Sequence, residues 1–200
     1  MKALKKTLLL SLACAAAAPA FAYEAGDVIV RAGAAMVTPE VTNNTMLPDL
    51  DVDENTQLGL TVTYMLSSKV GVELLGASPF EHDITLSGTT IGSTKHLPPT
   101  VNLQYFLLDS GSSVQPYLGA GVNYTKFYGE DNNLGLVLAL EDSFGLSVEA
   151  GVDVKVTDNV VLNAAVWKVD INTNVSINGA QMGELEIDPF VAMIGVGMKF

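Results

Sequence analysis

The sequence predicts an all-β fold, an eight-stranded antiparallel transmembrane β-barrel with short periplasmic turns and long outer loops, and three observations carry that prediction. The first is residues 144–156, where Phe144, Leu146 and every second residue to Val156 are apolar, while Gly145, Ser147, Glu149, Gly151, Asp153 and Lys155 fill the other parity. Side chains of a strand point to opposite faces with a period of two, so one face can meet lipid and the other a lumen. These thirteen residues exceed the about five or six of a soluble strand and meet the roughly 9 to 11 that cross a bilayer at a tilt. Second, beyond residue 22 no apolar run approaches the roughly eighteen residues of a spanning helix, the longest being 134–140. A membrane crossing therefore falls to strands, and only a closed barrel satisfies their backbone groups in lipid. Third, seven further alternating segments are joined by connections that run long, short, long, short to the end of the chain.

Taken in order, 27–37 is the first strand, with Val28, Val30, Ala32, Ala34 and Met36 on one face and Arg31 and Gly33 on the other. A long polar stretch, 38–54, leads to the second strand at 55–66, and Ser67, Ser68 and Lys69 make a short turn into the third at 70–80. Within the next long connection, 81–95, the residues around Gly88 can extend the hairpin beyond the membrane. Pro98 and Pro99 cannot donate to a ladder, so pairing is interrupted before the fourth strand at 100–106. The fifth strand is 114–128, and the loop at 129–141 is apolar enough to pack as a short helix or fold over an opening. After the sixth strand at 144–156 come 160–171, whose parity turns the single tryptophan, Trp167, inward, and a last strand from about 184 to Phe200.

The expected domain plan is a signal peptide at 1–22 and a barrel at 23–200. Lys2, Lys5 and Lys6, an apolar run over 8–18 and the small-residue site Ala20-Phe21-Ala22 have the form of a secretory leader cleaved near Ala22. Cleavage before Cys14 is disfavoured, because Ser11 and an alanine-rich run replace the residues a lipoprotein signal prefers. Removing the leader takes three lysines and the only cysteine, leaving 7 cations against 22 acids, a net charge of −15. No thiol chemistry remains, and so negative a chain is a poor partner for nucleic acid.

Catalytic and metal motifs fail on inspection. Asp51, Asp53 and Asn55 resemble the start of a calcium loop, but Thr56 stands where Gly is needed and Val62 where Glu is needed. His82 and His96 lie near the outer rim without a nucleophile, base and orienting group in sequence register. No enzyme activity, metal or cofactor is expected. Gly119, Gly121, Gly195 and Gly197 lack phosphate-loop spacing and are better read as room for bulky neighbours.

The interior is the informative part. Arg31, Glu73, Asp153, Lys155 and Lys199 face inward in the lower half, where buried charges must pair, and they are expected to plug the lumen. Higher up, Leu75, Trp167 and Met193 are the expected channel lining, with Leu97, Pro98 and Pro99 as rim or lateral-opening residues. That upper set is either ordinary interior packing or a hydrophobic pocket open to the outside and closed below.

Several stretches bear on the choice: Glu24-Ala-Gly-Asp27, Gly71-Val-Glu-Leu-Leu75, Ser78-Pro-Phe80, His96-Leu-Pro-Pro99, Pro116-Tyr-Leu-Gly-Ala-Gly121 and the aromatic C-terminus. Together they resemble the OmpW family over essentially the whole mature chain. The resemblance implies a Gram-negative outer-membrane barrel whose narrow hydrophobic channel passes small hydrophobic molecules, with sideways release into the membrane, and in which Leu75 and Trp167 match channel positions. Lys168 and Phe190 depart from the family pattern, where aromatic residue and Trp are usual. Outer-membrane lipid, lipopolysaccharide and, through the C-terminal strand, the barrel assembly machinery are the implied partners. The alternative is a non-transporting surface barrel for adhesion or envelope integrity.

Overall fold

The computed structural model describes residues 22–200 except Pro48, Pro79 and 133–136. Apart from Ala22, the expected leader lies outside the described residues. Among the described residues there are fifteen strands and no helix: β1 (Val28–Thr38), β2 (Thr42–Thr45), β3 (Leu50–Val52), β4 (Asn55–Met65), β5 (Val70–Ala77), β6 (Phe80–Leu86), β7 (Thr89–Leu97), β8 (Thr100–Phe106), β9 (Val114–Asn132), β10 (Leu138–Leu140), β11 (Ser143–Lys155), β12 (Val160–Val169), β13 (Asn172–Ile177), β14 (Ala180–Glu186) and β15 (Phe190–Lys199).

Eight of these close into a barrel, in the order β1, β4, β5, β8, β9, β11, β12, β15 and back to β1, every pairing antiparallel. The seam between first and last strands runs from Ile29 opposite Lys199 to Thr38 opposite Phe190. Reciprocal backbone bonds between Val28 and Phe200, at 2.9 and 3.2 Å, finish it. Closure removes sheet edges, which in lipid would strand backbone polar groups at several kcal/mol each.

The alternation read in the sequence becomes an outer and an inner face. Phe144, Leu146, Val148, Ile194 and Phe200 are more than half exposed, whereas Arg31, Glu73, Asp153 and Trp167 have no exposure at all. A soluble barrel would invert that assignment.

At the end opposite the short turns the chain adds two more layers. Strand β9 continues past the barrel and carries β7, β6 and β3 as an upright extension, while β10, β13, β14 and β2 form a separate four-stranded sheet. Ser87-Gly88 and Asn178-Gly179, all at positive φ, turn the β6–β7 and β13–β14 hairpins, a geometry whose twist matches the strands it joins. Val52, Ile84, Phe127, Leu140, Leu185 and Ile187 pack between the layers.

Three expectations change. The last strand is not continuous from 184, because Pro189 offers no N–H and Asp188 sits at φ 32°, so the ladder breaks between β14 and β15. The strand expected at 160–171 likewise stops at Val169 before β13 begins. Leu138–Leu140 forms no helix; it pairs with Ile177, Ser176 and Val175 of β13 as a short strand.

Phe200 both completes the seam and turns its ring outward. Deleting it is expected to reduce the folded, heat-modifiable form in the outer-membrane fraction with total synthesis unchanged. Gel mobility of unheated against boiled samples measures this; undiminished folded protein would show that the terminal residue is dispensable.

Candidate functional site: an apolar chamber above a polar floor

The floor starts from one arginine. Arg31 on β1 projects into a lumen too narrow for water-rich solvation, and burial of a cation demands an anion held in good geometry. Asp153 on β11 supplies it: Arg31 Nε donates to Oδ1 at 3.0 Å and Nη2 to Oδ2 at 2.6 Å, a two-point fork across the barrel. Asp153 also accepts from the Tyr23 hydroxyl (2.7 Å) and Asn163 Nδ2 (2.9 Å), so both its oxygens are saturated.

The remaining guanidinium edge meets the other side of the barrel. Arg31 Nη1 donates to Thr63 Oγ1 at 2.8 Å and lies 3.5 Å from Glu73 Oε2, which accepts from Gln104 Nε2 at 2.8 Å. Thr63 in turn donates to Gln104 Oε1 (3.0 Å). The Tyr117 ring packs under the guanidinium at 5.3 Å, and Tyr23, Phe106 and Tyr117 stack in sequence behind it. Seven barrel strands and the N-terminal segment meet in this cluster, whose members are all but inaccessible.

One layer toward the outer end, Glu149 links floor to chamber. Its Oε2 accepts from Trp167 Nε1 (2.5 Å) and Asn102 Nδ2 (3.0 Å). Gly119 makes space for the carboxyl, since a Cβ there would lie 2.4 Å from Glu149 Oε1, and Gly151 does the same for the Tyr117 ring. Gly121 and Gly195 serve a different purpose, close approach to the backbone of the neighbouring strand.

Above this floor the lumen is apolar. Ala35, Val37, Leu75, Val169, Ile171 and Val191, with Pro98, Thr100 and Pro189, surround a narrow, tightly packed cavity with room for about one water molecule. Val37 also borders a second, equally tight cavity toward the outer end, between Ile84, Phe127, Leu185 and Ile187, so the two chambers are stacked.

The wall beside the inner chamber is thin. Leu75, Gly76 and Ala77 line the chamber on one face and an outer, lipid-side groove with Leu58, Leu60 and Leu74 on the other. Pairing of β5 with β8 stops at Leu75 opposite Thr100, and the next residues on that side are the two prolines. Pro98 lines the chamber and Pro99 the groove.

Against the sequence expectations, Leu75 lines the chamber, while Trp167 and Met193 sit one inward position lower on β12 and β15 and form its base. Strand tilt and stagger offset residues counted from the turns, and Met193 folds its sulfur over Gly59. Arg31, Glu73 and Asp153 share one network. Lys155 and Lys199 do not join it: they stand at the short-turn mouth, Lys155 Nζ donating to Gly111 O (3.3 Å) and Lys199 Nζ to Ala22 O (2.9 Å) beside Asp27. Each lies at or near the C-terminal end of its strand, so a long side chain reaches the rim instead of the lumen. Leu97 ends β7 opposite Lys126, and its side chain lies outside the described residues. Sequence reading missed Tyr23, which precedes any periodic segment, and Thr63, Gln104, Tyr117 and Asn163, whose inward parity was legible but whose partners were not.

A closed eight-stranded barrel with an apolar outer belt and a filled interior defines an integral outer-membrane β-barrel protein. More narrowly, the chain belongs to the OmpW family, whose profile matches residues 24–200. It is 42% identical over 217 residues to outer membrane protein W of Vibrio cholerae, covering 98% of this chain and all of that one. The crystal structure of OprG from Pseudomonas aeruginosa superposes with a TM-score of 0.83 at 40% identity, over 90% of this chain and 98% of that one. A more distant relative, the dibenzothiophene metabolism operon protein PahQ of Pseudomonas aeruginosa, is 27% identical over 158 residues, 75% of this chain and 74% of that protein. The protein therefore resides in the outer membrane, its long connections and extra sheets outside the bilayer.

Breaking the floor's central pair has a calculable consequence. Arg31→Met leaves Asp153 and Glu73 buried without their cation, a change expected to cost about 3–5 kcal/mol of barrel stability. Urea unfolding followed by Trp167 fluorescence measures it, and the double variant Arg31→Met/Asp153→Leu is expected to recover part of the loss. A loss well under 1 kcal/mol in the single variant would mean that the fork is not a stabilising contact.

Proposed function

We propose that the protein is a passive, non-enzymatic channel for small hydrophobic molecules, which enter the stacked chambers from outside and leave sideways into the bilayer. The observation that carries this reading is the shared wall: Leu75-Gly76-Ala77 separates an apolar chamber from a lipid-side groove at the place where Pro98 and Pro99 end strand pairing. A solute that parts these side chains and buries about 200 Å² of its apolar surface between them gains about 5 kcal/mol over water, less the cost of opening the chamber. Below it, the charged and densely packed floor leaves no open passage. A relative named for dibenzothiophene metabolism, an uncharged polycyclic compound, is consistent with such cargo. On the same reading lipopolysaccharide surrounds the outer half, and the strand ending at Phe200 is the one presented to the barrel assembly machinery.

Two substitutions test the route. Pro98→Val with Pro99→Val restores two N–H donors, allowing the β5–β8 ladder to continue past Leu75; uptake of a hydrophobic probe by proteoliposomes is expected to slow several-fold while the barrel becomes no less stable. Leu75→Arg places a charge in the chamber and is expected to slow the same uptake, with small-ion conductance low throughout. Unchanged uptake in both folded variants would remove the lateral route and leave a surface barrel for adhesion or envelope integrity as the better reading.

A further inference from the structure

We propose that this route discriminates by charge, taking uncharged apolar solutes and turning away anionic amphiphiles of the same chain length; this narrows, and rests on, the channel reading above. Three independent features of the path agree. At the mouth, connections 39–54, 81–95, 126–142 and 168–188 hold fifteen of the chain's 22 acids and only three lysines. Glu54, Asp83 and Glu184 among them are exposed, while Lys168 is already engaged by Glu40 at 2.5 Å. Such a single-sign mouth repels anions before contact, an effect on approach rates of roughly tenfold or more at low ionic strength.

Inside, the chambers offer an anion no cation. Among the described residues, no lysine or arginine lines either cavity, and the polar lining is the Thr100 hydroxyl, which donates to Pro98 O, and the Thr94 hydroxyl. A headgroup stripped of water there meets mainly Val, Leu, Ile and Pro side chains, and one neutral hydroxyl does not offset the desolvation of a full charge.

The floor does not relieve this. Its nearest donors, Trp167 Nε1 and Asn102 Nδ2, both terminate on Glu149 Oε2. The other polar atoms of that layer are oxygens, Glu149 Oε1, Glu73 Oε1 and Asn102 Oδ1, the two carboxyl groups lying against each other, and no cationic donor is among them. Arg31 lies a layer deeper with its donors directed at Asp153, Thr63 and Glu73. A carboxylate or sulfate finds repulsion at the mouth, no cation in the chamber and oxygens below; an alcohol of equal length has none of these barriers.

Decanol and decyl sulfate make the comparison, because they share a chain and the sulfate stays charged at any working pH. The mature protein in vesicles of net-neutral lipid is given each probe below its micellar concentration, and rates are corrected for protein-free vesicles. Occupancy is read in parallel from Trp167, the single tryptophan of the chain, which is fully buried at the base of the chamber. The expected result is corrected decyl sulfate uptake about tenfold or more below that of decanol. That ratio is expected to narrow at 1 M salt, where screening contracts to about 3 Å, and in the triple variant Glu54→Lys/Asp83→Lys/Glu184→Lys, checked for folding by its gel shift. Equal corrected rates for the two probes would overturn charge selection and leave the channel intact. A ratio indifferent to both salt and charge reversal would overturn the role given to the mouth. Decanol uptake no faster than in protein-free vesicles would overturn the channel reading, and this proposal with it.

Discussion

Every feature of this protein answers to one constraint: inside a bilayer, a strand's N–H and C=O groups have no water to bond and must find each other. Alternating sequence, even strand number, the seam between β1 and β15 and the bonds joining Phe200 to Val28 are all consequences of closing the ladder. That makes a place where it lapses beside a cavity informative. Beside Gly76 and Ala77 the ladder partner on β8 is gone, because the residues that would supply it are prolines. A defect in the ladder at membrane depth persists where the groups it frees border a cavity, and here chamber and groove lie on its two sides.

Closure at eight strands creates a second constraint, volume. The interior of such a barrel is just filled by side chains, so each large inward residue needs a small one across from it. Glu149 against Gly119, the Tyr117 ring against Gly151 and the Arg31 stem against Gly197 meet that need. The polar floor is consequently dense, and its ion pair is satisfied by hydrogen bonds from Tyr23 and Asn163 to Asp153 and from Arg31 to Thr63. Where inward residues shorten to Ala35, Val37, Val169 and Val191 with no large partner, the same volume rule leaves space, and the chamber is that space.

Much of this was legible in the residue pattern, because period-two alternation reports which face a side chain occupies and lipid demands that it be kept strictly. All eight barrel strands, the inward turn of Arg31, Glu73, Asp153 and Trp167, and the interruption at Pro98-Pro99 follow from parity and from proline chemistry. Height along the barrel was less legible. Strands tilt and stagger, so equal counts from the turns do not give equal depth, and Trp167 and Met193 fall below the chamber while Lys155 and Lys199 fall to the mouth. Partners across the lumen, such as Gln104 for Glu73 or Tyr23 for Asp153, depend on long-range register that no local pattern encodes. Outside the membrane the hairpin around Gly88 was legible, whereas β2, β3 and β10 were read as loops, being three or four residues long with too few alternations to register.

If the barrel is the channel we propose, the vertical order of the two regions decides its route. Were the apolar chamber below and the charged cluster above, a hydrophobic solute would meet the barrier before any favourable surface, and an ion would meet the reverse. With the chamber uppermost, the solute is stabilised first and stopped second. Going down would require separating a buried fork between Arg31 and Asp153, a rearrangement of several kcal/mol with no new apolar contact in return. Going sideways requires only that Leu75, Gly76 and Ala77 yield along a stretch where one flank is already unpaired, and it delivers the solute to hydrocarbon as apolar as the chamber it leaves. On the proposed function, the floor thus has a directional consequence beyond stability: it makes the axial path the more costly one and favours a side exit.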